Sequence, residues 1–366
     1  MSIFDVFTLL GGLAFFLYGM NLMGDALERK AGTKLKSILE NLTSNTFKGF
    51  MLGLVVTGII QSSSATTVMV VGFVNSGIMT LHQAVGVIMG ANLGTSVTSW
   101  LLSLTGIEGE SFWVQILKPS SFTPLLAFIG IIFIMFVKNS KQKDTALILI
   151  GFSILMFGME TMSAAVEPLA QSEEFSKILL LFSNPVLGLI VGTAFTAIVQ
   201  SSSASVGILQ ALTLTGTVTY STAVPIVMGQ NIGTCATAML SSIGASKNGK
   251  RAAIVHLYFN VIGTVVFMTV FYTVNMFIHF SFLNDTANEM GIAVIHTTFN
   301  IITTALLLPL RNVLEKLAYM TIRVDDEEKA LMERQSVNEF ALLDDRFLES
   351  PSLAVEHCKT VIGNMA

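Results

Sequence analysis

The chain has very little charge for its length. Only 12% of its 366 residues are Asp, Glu, Lys or Arg, whereas an ordinary soluble domain has about 25%. Hydrophobic residues make up 52% of the chain, and the mean hydropathy is +0.71. So few charges cannot cover a surface in water, and a chain this apolar is not a disordered one. The composition therefore indicates a protein of the lipid bilayer, with membrane lipids as partners.

Cysteine is scarce, and basic residues are not in excess. The chain has two cysteines, Cys235 and Cys358, which excludes a disulfide-stapled secreted domain. The formal net charge is −4, so a basic nucleic-acid binder is excluded and no nucleic-acid partner is expected. Residues 1–5 contain no Lys or Arg, and we expect no signal peptide there.

Long apolar segments predict about seven membrane-spanning helices, each needing about 20 residues. The predicted spans are residues 3–24, 81–105, 121–137, 145–166, 222–244, 252–280 and 290–310. Two further apolar segments, 49–76 and 186–216, carry Gln-Ser-Ser-Ser at the centre. Each of their limbs has about 12 to 15 residues and reaches about halfway across the membrane. We interpret these two segments as re-entrant helical hairpins.

The positions of Lys and Arg predict the orientation of the chain. These residues cluster within 29–48, 138–143, 247–251 and 311–329. With seven spans and two hairpins, all four clusters fall on one face of the membrane. The positive-inside rule makes that face cytoplasmic. We therefore expect a plasma-membrane protein with its amino terminus outside and its carboxyl terminus in the cytoplasm.

An internal repeat organises the sequence. Residues 53–66 recur as 192–205, and residues 89–98 recur as 228–237, in both cases displaced by 139 positions. The first copy contains three full spans, so the second copy begins on the opposite side of the membrane. Inverted repeats of this kind are common in secondary transporters, whose binding sites lie where broken helices meet near the midplane.

The repeat predicts four parts of the chain and its fold class. Residues 1–138 form the first transporter repeat, and residues 139–285 form the second, inverted repeat. Residues 286–323 hold an extra transmembrane helix and its exit, and residues 324–366 hold a cytoplasmic linker and a helix. The predicted fold is an all-α polytopic membrane protein, built as an inverted-repeat secondary transporter with two re-entrant helical hairpins and about seven full spans.

The two Gln-Ser-Ser-Ser turns are the predicted solute site. Consecutive polar residues inside a membrane are costly unless they line a wet cavity or pair with each other. Serine hydroxyls and the free N–H groups at a helix start suit an oxyanion. The alternative is that the serines only satisfy one another and the backbone at a tight hairpin.

Neutral oxygen ligands and few intramembrane charges make Na⁺ the expected coupling ion. Amide oxygens, hydroxyls and unwound backbone carbonyls suit a hard cation, whereas a proton relay has no obvious carboxylate carrier. The Gly-X-Asn-X-Gly-Thr segments, 90–95 and 229–234, predict a local unwinding that exposes such carbonyls. Glycines at this spacing also serve close helix packing, which is the alternative. No transition metal and no cofactor are expected.

A smaller motif, His-X-X-Phe-Asn, occurs at 256–260 and again at 296–300. The favoured interpretation is that these His and Asn side chains make interhelical hydrogen bonds, and a pH sensor or gate is the alternative. An intramembrane serine hydrolase would need His256 or His296 beside a hairpin serine, and no acid partner is evident. We therefore do not expect an enzyme.

The paired Gln-Ser-Ser-Ser and Gly-X-Asn-X-Gly-Thr motifs resemble those of the type II sodium/phosphate cotransporters, and specifically their bacterial relatives. The resemblance covers about residues 1–310 and implies Na⁺-driven transport of inorganic phosphate across the bacterial cytoplasmic membrane. On this basis, the phosphate ligands are expected to be Ser62, Ser63, Ser64, Ser201, Ser202 and Ser203. The sodium ligands are expected to be Gln61, Thr66, Asn92, Thr95, Gln200, Ser205, Asn231 and Thr234.

Two departures from the animal members point to a bacterial member. The connection 106–120 is short where animal members have a large disulfide-bearing loop, and no His-X-X-Phe-Asn precedes residue 138. The acidic and amphipathic residues after 324 resemble the linker and first helix of a PhoU-like bundle, so we expect the chain to be part of a longer protein. A solvated tail is the alternative. Transport of another oxyanion, phosphate export, a regulator acting through the PhoU-like tail, and assembly as a homo-oligomer all stay open.

Overall fold

The computed structural model describes residues 2–40, 46–107, 109 and 111–324, which fold mainly as α-helices. In chain order the helices are α1 (Ile3–Glu40), α2 (Thr46–Ile60), α3 (Ser63–Asn75), α4 (Leu81–Leu102), α5 (Phe112–Leu117), α6 (Pro119–Phe136), α7 (Ser140–Val166), α8 (Glu173–Leu181), α9 (Pro185–Val199), α10 (Ser202–Thr213), α11 (Tyr220–Gly233), α12 (Cys235–Ser241), α13 (Lys247–Ile278), α14 (Glu289–Leu307) and α15 (Arg311–Thr321). The contacts separate Met1–Glu315 from a second unit, Lys316–Ala366. The predicted PhoU-like helix lies outside the described residues.

Seven segments of the described chain are long and apolar enough to cross a membrane, which confirms the predicted class. They are Ile3–Lys30, Leu81–Gly106, Pro119–Phe136, Ser140–Leu169, Tyr220–Ser241, Lys247–Ile278 and Glu289–Leu307. Each one overlaps a predicted span. The first segment extends six residues further than predicted, and this extension matters for the site.

The two hairpins form as α2–α3 and α9–α10, each broken at its Gln-Ser step. Their limbs have 15 and 13 residues in the first hairpin and 15 and 12 in the second. At about 1.5 Å per residue, each limb is shorter than a bilayer core of about 30 Å. The broken hairpins are therefore as predicted, and how deeply they enter the membrane stays a prediction.

Glycine contacts show that α1 and α7 cross in opposite directions. A Cβ at Gly12 would press on the carbonyl of Gly158, and one at Gly19 would press on the carbonyl of Gly151. In the repeat, Gly12 corresponds to Gly151 and Gly19 to Gly158. Each contact therefore recurs with its partners exchanged, which is the signature of a twofold interface. This packing supports the inverted relationship of the two copies.

The predicted unwinding of the first Gly-X-Asn-X-Gly-Thr segment is wrong, because α4 is continuous from Leu81 to Leu102. Its glycines serve close packing instead. A Cβ at Gly90 would collide with the carbonyl of Phe50, and in the second copy a Cβ at Gly229 would collide with that of Leu189. The second copy has one short interruption, at the residue between α11 and α12.

Candidate functional site

A cavity of about 390 Å³ brings the two hairpin turns together. It is lined by Ile60, Gln61, Ser62, Ser63, Ser64 and Ala65 of the first hairpin, by Val199, Gln200, Ser201, Ser202 and Ser203 of the second, and by Leu17, Met20, Asn21, Gly24, Asp25 and Glu28 of α1. All six serines predicted to bind phosphate therefore share one cavity. Both glutamines predicted to bind sodium lie there as well.

A left-handed glutamine redirects the chain at each turn. Gln61 has φ 61° and Gln200 has φ 57°, a region that residues other than glycine rarely adopt. The two side chains differ, because Gln61 is buried and its Nε2 donates to the carbonyl of Gly58, whereas Gln200 is exposed. In each hairpin the first helix, α2 or α9, ends at this turn. The second helix, α3 or α10, begins at the serines that follow.

The first serine of each turn caps the following helix. Ser62 Oγ accepts from Ala65 N, and Ser201 Oγ accepts from Ala204 N, both at 3.2 Å. The first N–H groups of a helix have no intrahelical acceptor, and here the first turns of α3 and α10 line the cavity. Two positive helix ends and six hydroxyl groups thus converge, an arrangement that can hold an anion.

The hydroxyl groups of Thr66 and Ser205 join the two limbs of their hairpins. Thr57 Oγ1 donates to Thr66 Oγ1 at 3.0 Å, and the equivalent Thr196 Oγ1 donates to Ser205 Oγ at 2.7 Å. Both pairs are buried, and neither Thr66 nor Ser205 is among the cavity-lining residues. For these two predicted ligands, the observed contact is a structural one.

Asn92 and Asn231 lie in a second buried cluster, not in the lining of the cavity. Asn92 Oδ1 accepts from His256 Nε2 at 3.3 Å and from Asn260 Nδ2 at 3.2 Å. Asn231 Oδ1 accepts from Asn300 Nδ2 at 3.4 Å. The asparagines of both repeats are therefore held by the His-X-X-Phe-Asn motifs of α13 and α14.

Two further predicted ligands, Thr95 and Thr234, also lie outside the cavity lining. Their hydroxyls donate to the carbonyls of Ala91 and Gln230, at 3.2 and 2.9 Å. A hydroxyl that donates in this way keeps its oxygen lone pairs available. Both threonines thus remain able to face a cation while bonded to their own helices.

The buried cluster connects both repeats to both of the last two spans. Ser96 Oγ lies 2.9 Å from His296 Nδ1, and Asn260 Nδ2 donates to Cys235 Sγ at 3.3 Å. Ser96 and Cys235 are equivalent in the repeat, and Ser96 contacts α14 whereas Cys235 contacts α13. The twofold relation that exchanges α1 and α7 therefore also exchanges α13 and α14. The interhelical hydrogen bonds predicted for the two motifs are confirmed.

Two amide oxygens in this cluster have no hydrogen-bond donor within the described residues. They are Asn260 Oδ1 and Asn300 Oδ1, on side chains that are fully buried. The sequence predicted only interhelical hydrogen bonds for these asparagines. An unpaired amide oxygen in an apolar interior is unfavourable, and it is a suitable ligand for a hard cation.

Three polar residues of α1 were missed as cavity residues. Asn21, Asp25 and Glu28 line the cavity, but the predicted span ended at residue 24 and left both carboxylates outside it. The signal was available in the spacing, since positions 21, 25 and 28 lie on one face of a helix. The face of α1 toward the serine turns is therefore acidic.

The histidines do not support hydrolytic chemistry. Within the described chain, the ring nitrogens of His256 and His296 contact Asn92, Asn300 and Ser96 rather than a hairpin serine. A serine nucleophile requires a base beside it. The arrangement of charges and hydroxyls suits binding and release of an ion.

Seven candidate spans, an antiparallel crossing of α1 and α7, and paired broken hairpins around a polar cavity are the features of a polytopic membrane transporter. The chain belongs to the Na⁺/Pi-cotransporter family, whose profile matches it twice, over residues 15–164 and 154–306. This is a family of transporters rather than enzymes.

The curated relatives extend the similarity over most of the chain. YqeW of Bacillus subtilis, whose name assigns no function, is 30% identical over 324 residues, covering 88% of this chain and 99% of that protein. YjbB of Escherichia coli, whose name proposes inorganic phosphate export, is 25% identical and covers 95% of this chain. The chain spans 60% of the length of YjbB.

A more distant similarity reaches the animal proteins. The human sodium-dependent phosphate transport protein 2B is 35% identical over 105 residues, which are 28% of this chain and 15% of that protein. No solved structure matches the chain.

Proposed function

We propose that the chain is a secondary transporter that couples Na⁺ to inorganic phosphate by alternating access. The observation that carries this proposal is the meeting of both serine turns, with the starts of α3 and α10, in one cavity. Membership of the Na⁺/Pi-cotransporter family supports the same solute and ion. The names of YjbB and of the human protein 2B also refer to phosphate.

Phosphate would be held by the serine hydroxyls and by the N–H groups at the two helix starts. Its ligands would be Ser62, Ser63, Ser64, Ser201, Ser202 and Ser203. Each hydrogen bond to a charged group contributes about 1.5–3 kcal/mol. Within the described part of the chain, no Lys or Arg lines the cavity. Hydroxyls and helix dipoles alone would balance a doubly charged anion poorly, which is the physical reason for a coupled cation.

Sodium would bind at neutral oxygens close to the anion and in the buried cluster. Gln61 supports the first position, because its Oε1 has no donor within the described chain, and Gln200 occupies the equivalent turn. Asn92, Thr95, Asn231 and Thr234 would contribute to the second position together with the unpaired oxygens of Asn260 and Asn300. Thr66 and Ser205 are weaker candidates for sodium ligands, because their hydroxyl groups bond to the opposite limbs of their hairpins.

Alternating access is supported by the one-sided shape of the cavity. The carboxyl-terminal half of the first span lines it, whereas the equivalent residues of α7 do not. Because α1 and α7 cross about a twofold relation, exchanging their roles would open the serines to the other side. We propose that α1 runs from outside to inside, so the described conformation faces the cytoplasm of a bacterial cell.

Phosphate export is a second candidate, favoured by the similarity to YjbB over most of this chain. Both directions use the same cavity, since the ion gradients set the direction of a secondary transporter. Regulation through the tail would depend on residues outside those described.

Single serine substitutions test the proposed anion site. Ser63→Ala and Ser202→Ala each remove one hydroxyl from the cavity, and we expect each to weaken phosphate affinity by about tenfold or more. The measurement is sodium-dependent phosphate uptake by purified protein in liposomes.

Ser153→Ala is the matched control, because Ser153 is a buried membrane serine that donates to Thr123 O at 2.8 Å, away from the cavity. Normal phosphate affinity in both cavity variants, at normal expression, would remove the proposed site.

A further inference from the structure

One face of α1 brings two carboxylates to the serine cavity. Asp25 and Glu28 line it and are exposed to it, and they are the charged side chains of the lining. The next basic residues along the helix point elsewhere. Arg29 Nε bonds Asp144 Oδ1 at 2.9 Å, and Lys30 Nζ bonds Thr145 Oγ1 at 2.9 Å, both on α7. The acidic pair therefore keeps its charge uncompensated by these neighbours.

The acidic face lies next to the end of the first hairpin limb. A Cβ on Gly24 would be 3.3 Å from the carbonyl oxygen of Ile60, the last residue of α2. A helix carboxyl terminus carries partial negative charge. The following residue, Gln61, lines the same cavity, is only 7% exposed and has an Oε1 without a donor in the described chain.

These groups together favour binding of a cation. Two carboxylates, a helix carboxyl terminus and an unpaired amide oxygen adjoin one cavity, and no Lys or Arg is among the described residues of its lining. An unpaired buried acceptor is unfavourable, and oxygen ligands of this kind suit a hard cation. An anion that entered past the carboxylates alone would be repelled by them.

The internal repeat places a second acidic pair in α7 and directly after its last residue, Val166. Glu167 is the counterpart of Glu28, and Glu160 is the counterpart of Asn21. Both glutamates are exposed, and neither lines the cavity. Glu160 and Glu167 thus hold the positions equivalent to the cavity-lining Asn21 and Glu28, whereas the counterpart of Asp25 is Ala164.

We propose that Asp25 and Glu28, with Gln61 Oε1, form a sodium-binding site on the α1 side of the serine cavity. Glu160 and Glu167 take the same role when the opposite side is open. This inference rests on the proposed sodium-coupled function and names the residues that bring the cation to the site.

The test compares the double variant Asp25→Asn and Glu28→Gln with the wild-type chain. Both substitutions preserve side-chain shape at exposed positions, so folding is not at risk. In proteoliposome uptake, we expect the half-saturating Na⁺ concentration to rise by about tenfold. Phosphate affinity at saturating Na⁺ should stay within about twofold.

Two controls separate a binding site from a simple loss of charge. Glu174→Gln removes a carboxylate remote from the cavity lining and should leave the sodium dependence unchanged. The double variant Asp25→Glu and Glu28→Asp keeps both negative charges. Its half-saturating Na⁺ concentration should therefore be close to that of the wild-type chain. An unchanged sodium dependence in the neutral variant would overturn the inference. Tighter phosphate binding by the neutral variant, at unchanged sodium dependence, would also overturn the inference. It would show that the carboxylates only repel the anion.

Equilibrium binding of radioactive sodium to the purified chain distinguishes this inference from the proposed function. Wild-type binding that is lost in the neutral variant supports the site, even if the wild-type chain shows no sodium-dependent uptake and the proposed function fails. Sodium-dependent uptake with equal sodium binding in both proteins overturns the site and leaves the proposed function intact.

Discussion

At the level of single residues, the two turn glutamines keep a backbone conformation that glycine would adopt more easily. Gln61 and Gln200 have left-handed φ values of 61° and 57°, which cost about 1 kcal/mol for a residue with a side chain. Glycine removes that strain. A glutamine at both turns is therefore consistent with a role for the side chain, which we propose to be sodium binding.

Substitutions of Gln200 can distinguish a role in sodium binding from the effect of backbone strain. Its side chain is exposed, so its loss should not disturb packing. Gln200→Gly should leave the melting temperature unchanged or slightly raised, while the half-saturating Na⁺ concentration for phosphate uptake increases by several-fold. Gln200→Ala loses the same amide but keeps the strain, so it should melt no higher than the glycine variant. Wild-type sodium dependence in the glycine variant would show that the turn needs only its backbone.

The sequence predicted which serines share a cavity, because the two copies of the motif are expected to face each other in an inverted repeat. It could not predict that Thr66 and Ser205 bond to the opposite limbs. Their orientation depends on the rotation of each limb about its axis, and the motif alone does not determine that rotation. The acidic face of α1 was missed for a similar reason, since a hydropathy boundary does not show where a helix ends.

At the level of helices, close glycine packing holds the molecule together. Within a membrane, helices associate through van der Waals contact and hydrogen bonds, so small residues at crossings are decisive. The glycines of α1 and α7 bring two backbones into contact, and those of α4 and α11 do the same against α2 and α9. The sequence left two interpretations of the Gly-X-Asn-X-Gly-Thr segment, and in the first copy packing is the observed one.

Adjacent glycines of α1 give a matched test of this packing. A Cβ at Gly12 would lie 2.8 Å from Met162 N, whereas nothing lies within 4 Å of one at Gly11. We expect Gly12→Ala to destabilise the protein by about 1–3 kcal/mol and to reduce transport. Gly11→Ala should be neutral or slightly stabilising.

The measurement is the melting temperature of both variants in one detergent, followed by phosphate uptake. Equal melting temperatures would mean that the α1–α7 crossing tolerates separation and is not a tight pivot.

At the level of the whole molecule, the internal repeat relates the fold to the proposed transport mechanism. Seven spans could be counted from hydropathy, and the displacement of 139 positions indicated two copies. The exchange of α13 and α14 about the same twofold relation was not predictable from that displacement, because these two helices share only the short His-X-X-Phe-Asn motif. Their positions follow from hydrogen bonds between helices distant in sequence.

This symmetry gives a physical basis for coupling. In the proposed mechanism, helix dipoles and hydroxyls of the cavity would hold phosphate, and the acidic face of α1 would bind a cation. Anion and cation would then stabilise each other in a site that opens on one side at a time. Either ion bound alone would leave uncompensated charge in the site. Binding of both ions is therefore favoured, which couples their transport.

Uptake of radiolabelled phosphate into proteoliposomes tests this account most directly. The chain is reconstituted, and an inward Na⁺ gradient is compared with an equal K⁺ gradient. We predict phosphate accumulation above equilibrium with Na⁺ and none with K⁺. Equal accumulation with both ions, or none with either from correctly folded protein, would contradict sodium-coupled phosphate transport by this chain.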